Sequence, residues 1–133
     1  MPPAPLPATT MNFVLWVLQV LLAAAFLAHG LFLLFPSPEI LVQMNETMST
    51  SFRYFLGVAE VLAAIGLTLP GITRVQPWLV SAAAAGVMIV MISATVLHIR
   101  RDEISSAIVT AILLVMATFV AYMRWKAMPI APR

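Results

Sequence analysis

The chemistry available to this chain centres on Glu60, the single acid in an apolar run, Ser51 to Thr68, long enough to cross a bilayer. A charged side chain near the membrane midplane costs about 2.5 to 3.5 kcal/mol on insertion scales, so a carboxylate held there needs a partner or a use. His29 lies six residues before the end of the first apolar run, and Glu60 nine residues into the second. Helix rise places them ~9 and ~13 Å from one membrane face, within mutual reach if their helices are neighbours. Arg53 shares the helical face of Glu60 but lies ~10 Å nearer the surface, too far for a direct ion pair. Tyr54, Thr95, His98, Ser105, Ser106 and Thr110 gather toward the same end. A polar pocket in that half, opening away from the cytoplasm, would use Glu60, His29, Arg53, Gly57, Tyr54, Thr95 and His98 as ligand-binding residues. No catalytic residue and no metal ligand is assigned, since no two carboxylates share a span and neither a Gly-rich phosphate loop nor His-Glu-x-x-His is present.

Each of these residues also has a purely structural account. Glu60, hydrogen-bonded to His29 or to a neighbouring helix, would fix helix register. His29 then reads as a satisfied bundle-core histidine, His98 as a solvated group beside Arg100 and Arg101, and Arg53 as a side chain that snorkels to the surface. Met88, Met91 and Met116 read as adaptable packing, and Trp16, Trp78 and Trp125 as interfacial anchors. The absence of cysteine removes thiolate nucleophiles, disulfide relays, cysteine-held zinc, iron–sulfur clusters and c-type haem. A bis-histidine haem is disfavoured because His98 sits at the membrane face and His29 ~9 Å deeper.

The elements that position these groups are membrane helices. At 133 residues, 62% hydrophobic and 9% charged, with a mean hydropathy of +1.03, the chain has too little polar surface for a soluble globule. The expected fold is an all-α, antiparallel four-helix transmembrane bundle with spans at about 11–35, 51–69, 77–98 and 104–125. These form one domain, 11–126, between a disordered Pro-rich lead, 1–10, and a C-terminal tail, 127–133. Pro36 and Pro38 end the first span, and Pro70-Gly71 the second. Between them, Ser37-Pro38-Glu39 resembles a helix start, with Ile40, Leu41, Met44 and Met48 on one face, as in a short interfacial helix or re-entrant segment.

The small and polar stripe Arg53, Gly57, Glu60, Ala64 and Leu67 belongs inside the bundle, and the first span offers a compatible stripe in Gln19, Ala23, Phe26 and Gly30. The third and fourth spans offer Ala84, Met88, Met91, Thr95 and His98, and Ser106, Thr110, Leu113 and Ala117. Ala82 and Gly86 supply a small-xxx-small contact. Charges at span ends match the helix dipoles, with Arg124 and Lys126 beyond the last. Four positive residues on the terminal side against three opposite favour both termini inside, in a bacterial cytoplasmic membrane. The net charge of +2 contains no polybasic run, which argues against a nucleic-acid partner.

The run from Arg53 to Pro70, with Gly57-Val58-Ala59-Glu60 followed by Gly66 and Pro70, resembles the second span of the DoxX-like family, and the ending Thr95-Val96-Leu97-His98 is similar to many members. The resemblance implies a small four-helix membrane protein, sometimes a subunit of thiosulfate:quinone or quinol-linked redox complexes and sometimes an accessory factor for other membrane proteins. It carries over to Gly57, Glu60 and His98. The expected role is a non-catalytic accessory or assembly subunit, partnered by a membrane protein or by a second copy of itself. The alternative is a redox-linked subunit binding a quinone or similar lipid through Glu60 and His29.

Overall fold

In the computed structural model, which describes residues Met1–Arg133, five α-helices account for nearly the whole chain: α1 (Ala8–Leu34), α2 (Pro38–Thr47), α3 (Thr50–Thr73), α4 (Leu79–Arg100) and α5 (Ile104–Tyr122). A π-helical turn, Met123–Ala127, continues α5. Four of these segments are long and apolar enough to cross a membrane, with mean hydropathies of 1.9 to 2.4 over their most apolar stretches, so the chain is a multi-pass membrane protein.

Local sequence explains where the helices begin and end. Ser37 and Ser49 are the N-caps of α2 and α3, accepting from Ile40 N–H at 3.5 Å and Phe52 N–H at 3.2 Å. In α2 the least exposed residues are Ile40, Leu41 and Met44, and the C-cap Met48 is likewise partly covered, as expected from their spacing. α3 does not stop at Pro70-Gly71 as expected but runs three residues beyond Pro70, to Thr73. A proline in the final turn forfeits one backbone bond without breaking the helix. Arg74, in the left-handed conformation at φ 60°, supplies the actual stop. At the start of the chain, helix begins at Ala8 rather than Met11.

The helices assemble as two closely packed pairs, α1 with α3 and α4 with α5, joined mainly along α3 and α4. The buried stripe of α3 is Arg53, Gly57, Glu60, Ala64, Leu67 and Gly71, and that of α1 includes Gln19, Ala23, Phe26 and Gly30, as the sequence predicts. The apolar core runs from Leu15, Leu22 and Phe26 through Leu67, Val80 and Val87 to Ala117 and Val120. Gly66 brings α3 onto α4, a Cβ there falling 2.8 Å from the Ala83 methyl. The expected small-residue contact at Ala82 and Gly86 is not made within the chain, for both are exposed and a Cβ on Gly86 would meet nothing within 4 Å.

Candidate functional site

Two glycines create the site. A Cβ on Gly30 would lie 2.9 Å from the Gly57 carbonyl oxygen, and one on Gly57 would lie 2.8 Å from Leu34 Cγ, so α1 and α3 cross here with almost no side chain between them. That closeness lets His29 reach across the crossing to Glu60, Nδ1 lying 2.6 Å from Oε2. This is a hydrogen bond between an imidazole and a carboxyl group at hydrocarbon depth. Gly57 and Glu60 of the sequence motif are therefore one device: the glycine sets the distance that the carboxylate needs.

The two partners differ in exposure. Glu60 is buried, its side chain 4% exposed, whereas the side chain of His29 is 56% exposed. α1 packs mainly against α3 and less against α5, which leaves the flank bearing His29 open, so this imidazole is not the enclosed core histidine of the structural account. Phe32, one turn on, sets its ring centroid 6.2 Å from the imidazole. Glu60 also lines a crevice of about 350 Å³ between α3 and α4, whose other walls include Phe26, Ala63, Gly66, Gly86 and Val90. Glu60 thus bonds a half-open imidazole and borders an otherwise apolar crevice.

The remaining candidates do not converge on this pair. Arg53 does not snorkel outward; it is 3% exposed and turns inward so that Nη1 donates to the Leu33 carbonyl in the last turn of α1. An unpaired helix-end carbonyl with its dipole is a favourable partner for a guanidinium that stays out of water. Tyr54 lies beneath that group, 4.5 Å from guanidinium carbon to ring centroid. Thr95 donates to Met91 O at 2.7 Å and joins Thr110 at 2.8 Å, closing α4 on α5. His98 pairs with Glu103 at 2.5 Å across the α4–α5 turn. The polar residues of that half are thus consumed in separate pairs rather than lining one pocket.

Sequence reasoning missed a second polar cluster at the terminal end. Arg124 is 4% exposed; its Nε donates to Gln19 Oε1 at 2.7 Å and its Nη1 to Asn12 Oδ1 at 2.8 Å and the Met128 carbonyl at 3.2 Å. Gln19 Nε2 in turn donates to Leu67 O at 2.8 Å, so the cluster spans α1, α3 and the end of α5. Trp16, half-buried, lies over the same guanidinium at 5.7 Å and against Gly71. The signal available was Gln19, a buried-stripe amide with no assigned partner; what hid Arg124 is the π-turn, which re-aims a residue that a regular helix end leaves in water.

No curated protein and no solved structure matches the chain. The family model for DoxX-like proteins matches residues 17–120, a stretch that contains His29, Gly57, Glu60 and parts of all four spans, and the chain belongs to the DoxX-like family.

Proposed function

We propose that this protein is a non-catalytic accessory subunit that docks laterally on another membrane protein through the flank of α1 bearing His29. The observation that carries this reading is the half-open imidazole fixed at 2.6 Å by a buried carboxylate. In hydrocarbon, an exposed ring nitrogen lacks the water that would satisfy it, so the free Nε2 gains most from a donor or acceptor on a neighbouring helix. Ala25, His29 and Phe32 lie on one exposed flank, an apolar strip around a single polar contact. The Glu60 hydrogen bond holds the ring in one orientation, which reduces the entropy lost on docking.

Photo-cross-linkers placed at Ala25 and Phe32 test this in native membranes, with Val115 on α5, 69% exposed, as the control site. The expected result is a discrete protein adduct from the α1 positions, absent at Val115 and lost with His29→Ala. Lipid adducts alone at all three positions would refute it.

A second reading, a quinone or similar lipid at the same pair, draws on the crevice. Its walls are apolar except at Glu60, and this carboxylate makes a single side-chain hydrogen bond, leaving acceptor capacity for a head group. His29 Nε2 would serve a quinone carbonyl; when bound, the quinone would supply the electron-carrying chemistry that these side chains lack. Lipid extracted from purified wild type and Glu60→Gln distinguishes the readings: quinone enriched in the first and lost in the second favours redox work, and equal lipid profiles favour docking.

A further inference from the structure

The terminal face carries a cavity that neither functional reading uses. It has a volume of about 610 Å³, within the roughly 300 to 1,000 Å³ of ordinary ligand sites, and Arg74, Arg124 and Arg133 line it together with Trp78 and Trp125. No acid lines it. All five acids of the chain, Glu39, Glu46, Glu60, Asp102 and Glu103, lie in the span interior or in the connections at the opposite end.

No acidic side chain pairs with the guanidinium groups here. Arg124 is buried, and its hydrogen-bond partners, Gln19, Asn12 and the Met128 carbonyl, are all neutral. Its Nη2 is buried without any hydrogen-bond partner. Arg74 is held toward the cavity by the tail, Nε donating to Ala131 O at 2.8 Å and Nη2 to Pro132 O at 3.5 Å, while Arg133 N–H donates to Arg74 O at 2.9 Å. Ile130 packs against Gly71 and so closes the cavity from the bundle side. Guanidinium groups cannot shed their charge, and a buried one with only neutral partners is stabilised by an anion with several acceptor oxygens.

The depth identifies where that anion is presented. Trp78 and Trp125 are 53% and 61% exposed at the ends of two spans, where indole rings sit at the headgroup level of a bilayer. We infer that the cavity is a phosphate site, taking a phosphate anion that is either the headgroup of an anionic phospholipid or free at the membrane surface. Arg74 and Arg133 bind the phosphate oxygens, the buried Arg124 adds its charge beneath them, and the two tryptophans flank the cavity at the interface.

The test uses the full chain in nanodiscs, with mass spectrometry of retained lipid at about 0.5 M salt, where a Debye length near 4 Å suppresses diffuse surface attraction. Discs of phosphatidylcholine with a minor share of phosphatidylglycerol are compared for wild type, Arg133→Gln and Lys126→Gln. Lys126 lies on the same face but outside the cavity, and Arg133→Gln removes a charge without touching the buried network. Phosphatidylglycerol should be retained over phosphatidylcholine, roughly tenfold less in Arg133→Gln and nearly unchanged in Lys126→Gln. Inorganic phosphate is then added as competitor: failure to displace the lipid assigns the site to a headgroup, and displacement at low concentration assigns it to free phosphate. Equal retention of both lipids with no phosphate binding overturns the proposal. So does an equal loss in the two variants, since the attraction would then belong to the face as a whole.

Discussion

His29 and Glu60 form a pair whose members depend on each other unequally. Removing the carboxylate leaves an imidazole at hydrocarbon depth without its partner, whereas an amide in its place still bonds it. Glu60→Ala is therefore expected to destabilise the protein by about 1 to 3 kcal/mol and Glu60→Gln by clearly less, measured as thermal unfolding in one detergent. Equal losses would mean that the charge rather than the hydrogen bond holds the pair. The similar depth of the two groups was legible in the sequence, because it follows from helix rise alone; that their helices are neighbours was not. Arg53 and Arg124 were not legible, since each is buried by a partner on another helix: the Leu33 carbonyl for one and the Gln19 amide for the other. A guanidinium near a span end reads as exposed until that partner is seen.

At the scale of helices, the decisive positions are glycines, and they are not equivalent. Gly30→Ala places a methyl 2.9 Å from a backbone oxygen that cannot rotate away, so α1 and α3 must part. A loss of about 1 to 3 kcal/mol is expected. Gly86→Ala meets open space and should stay within about 0.5 kcal/mol of wild type. Comparable effects of the two in the same unfolding assay would remove the close crossing as the origin of the site. The inward stripes of α1 and α3 were readable from periodicity, whereas in α4 and α5 only Ala84, Met91 and Ala117 of the expected stripes are buried; nor does periodicity tell which small residue meets backbone and which meets empty crevice.

The short helix α2 responds instead to pH. Glu39, in its first turn, is held below the ordinary carboxylate value of 4.5, first by a hydrogen bond to its own backbone N–H and then by the Ser37 hydroxyl. Because the folded-state value is the lower one, the stabilisation is present above pH 4.5 and is lost as pH falls through that depressed value. Amide protection across residues 38–47, taken relative to the intrinsic exchange rate at each pH, should fall on acidification, and Ser37→Ala should weaken that dependence. An exchange profile insensitive to both would place the stability of α2 in its Met44 face alone.

The whole molecule is two helix pairs that need fastening, and its polar contacts fasten them at one end. Lipid tails are as apolar as the core, so packing and hydrogen bonds rather than hydrophobic burial hold the pairs together. At the terminal end Arg124 and Gln19 link the end of α5 to α1 and α3, whereas the Thr95–Thr110 bond at the other end links only partners already in one pair. Four spans and their antiparallel order could be read from hydropathy and loop length, but the pairing could not, because every span offered a compatible small or polar stripe. Removing Arg124 leaves the buried Gln19 Oε1 without its donor and frees the end of α5 from α1; Arg124→Ala is expected to cost about 1 to 3 kcal/mol. Thr95→Val should cost about 0.6 kcal/mol, the usual worth of a hydrogen bond between membrane helices. A double-mutant cycle with Gln19→Leu isolates the tie itself, and a coupling above about 1 kcal/mol is expected between positions 19 and 124. A coupling near zero would mean that the two pairs are joined by the α3–α4 packing at Gly66 and Ala83, and Gly66→Leu would then be the substitution that separates them.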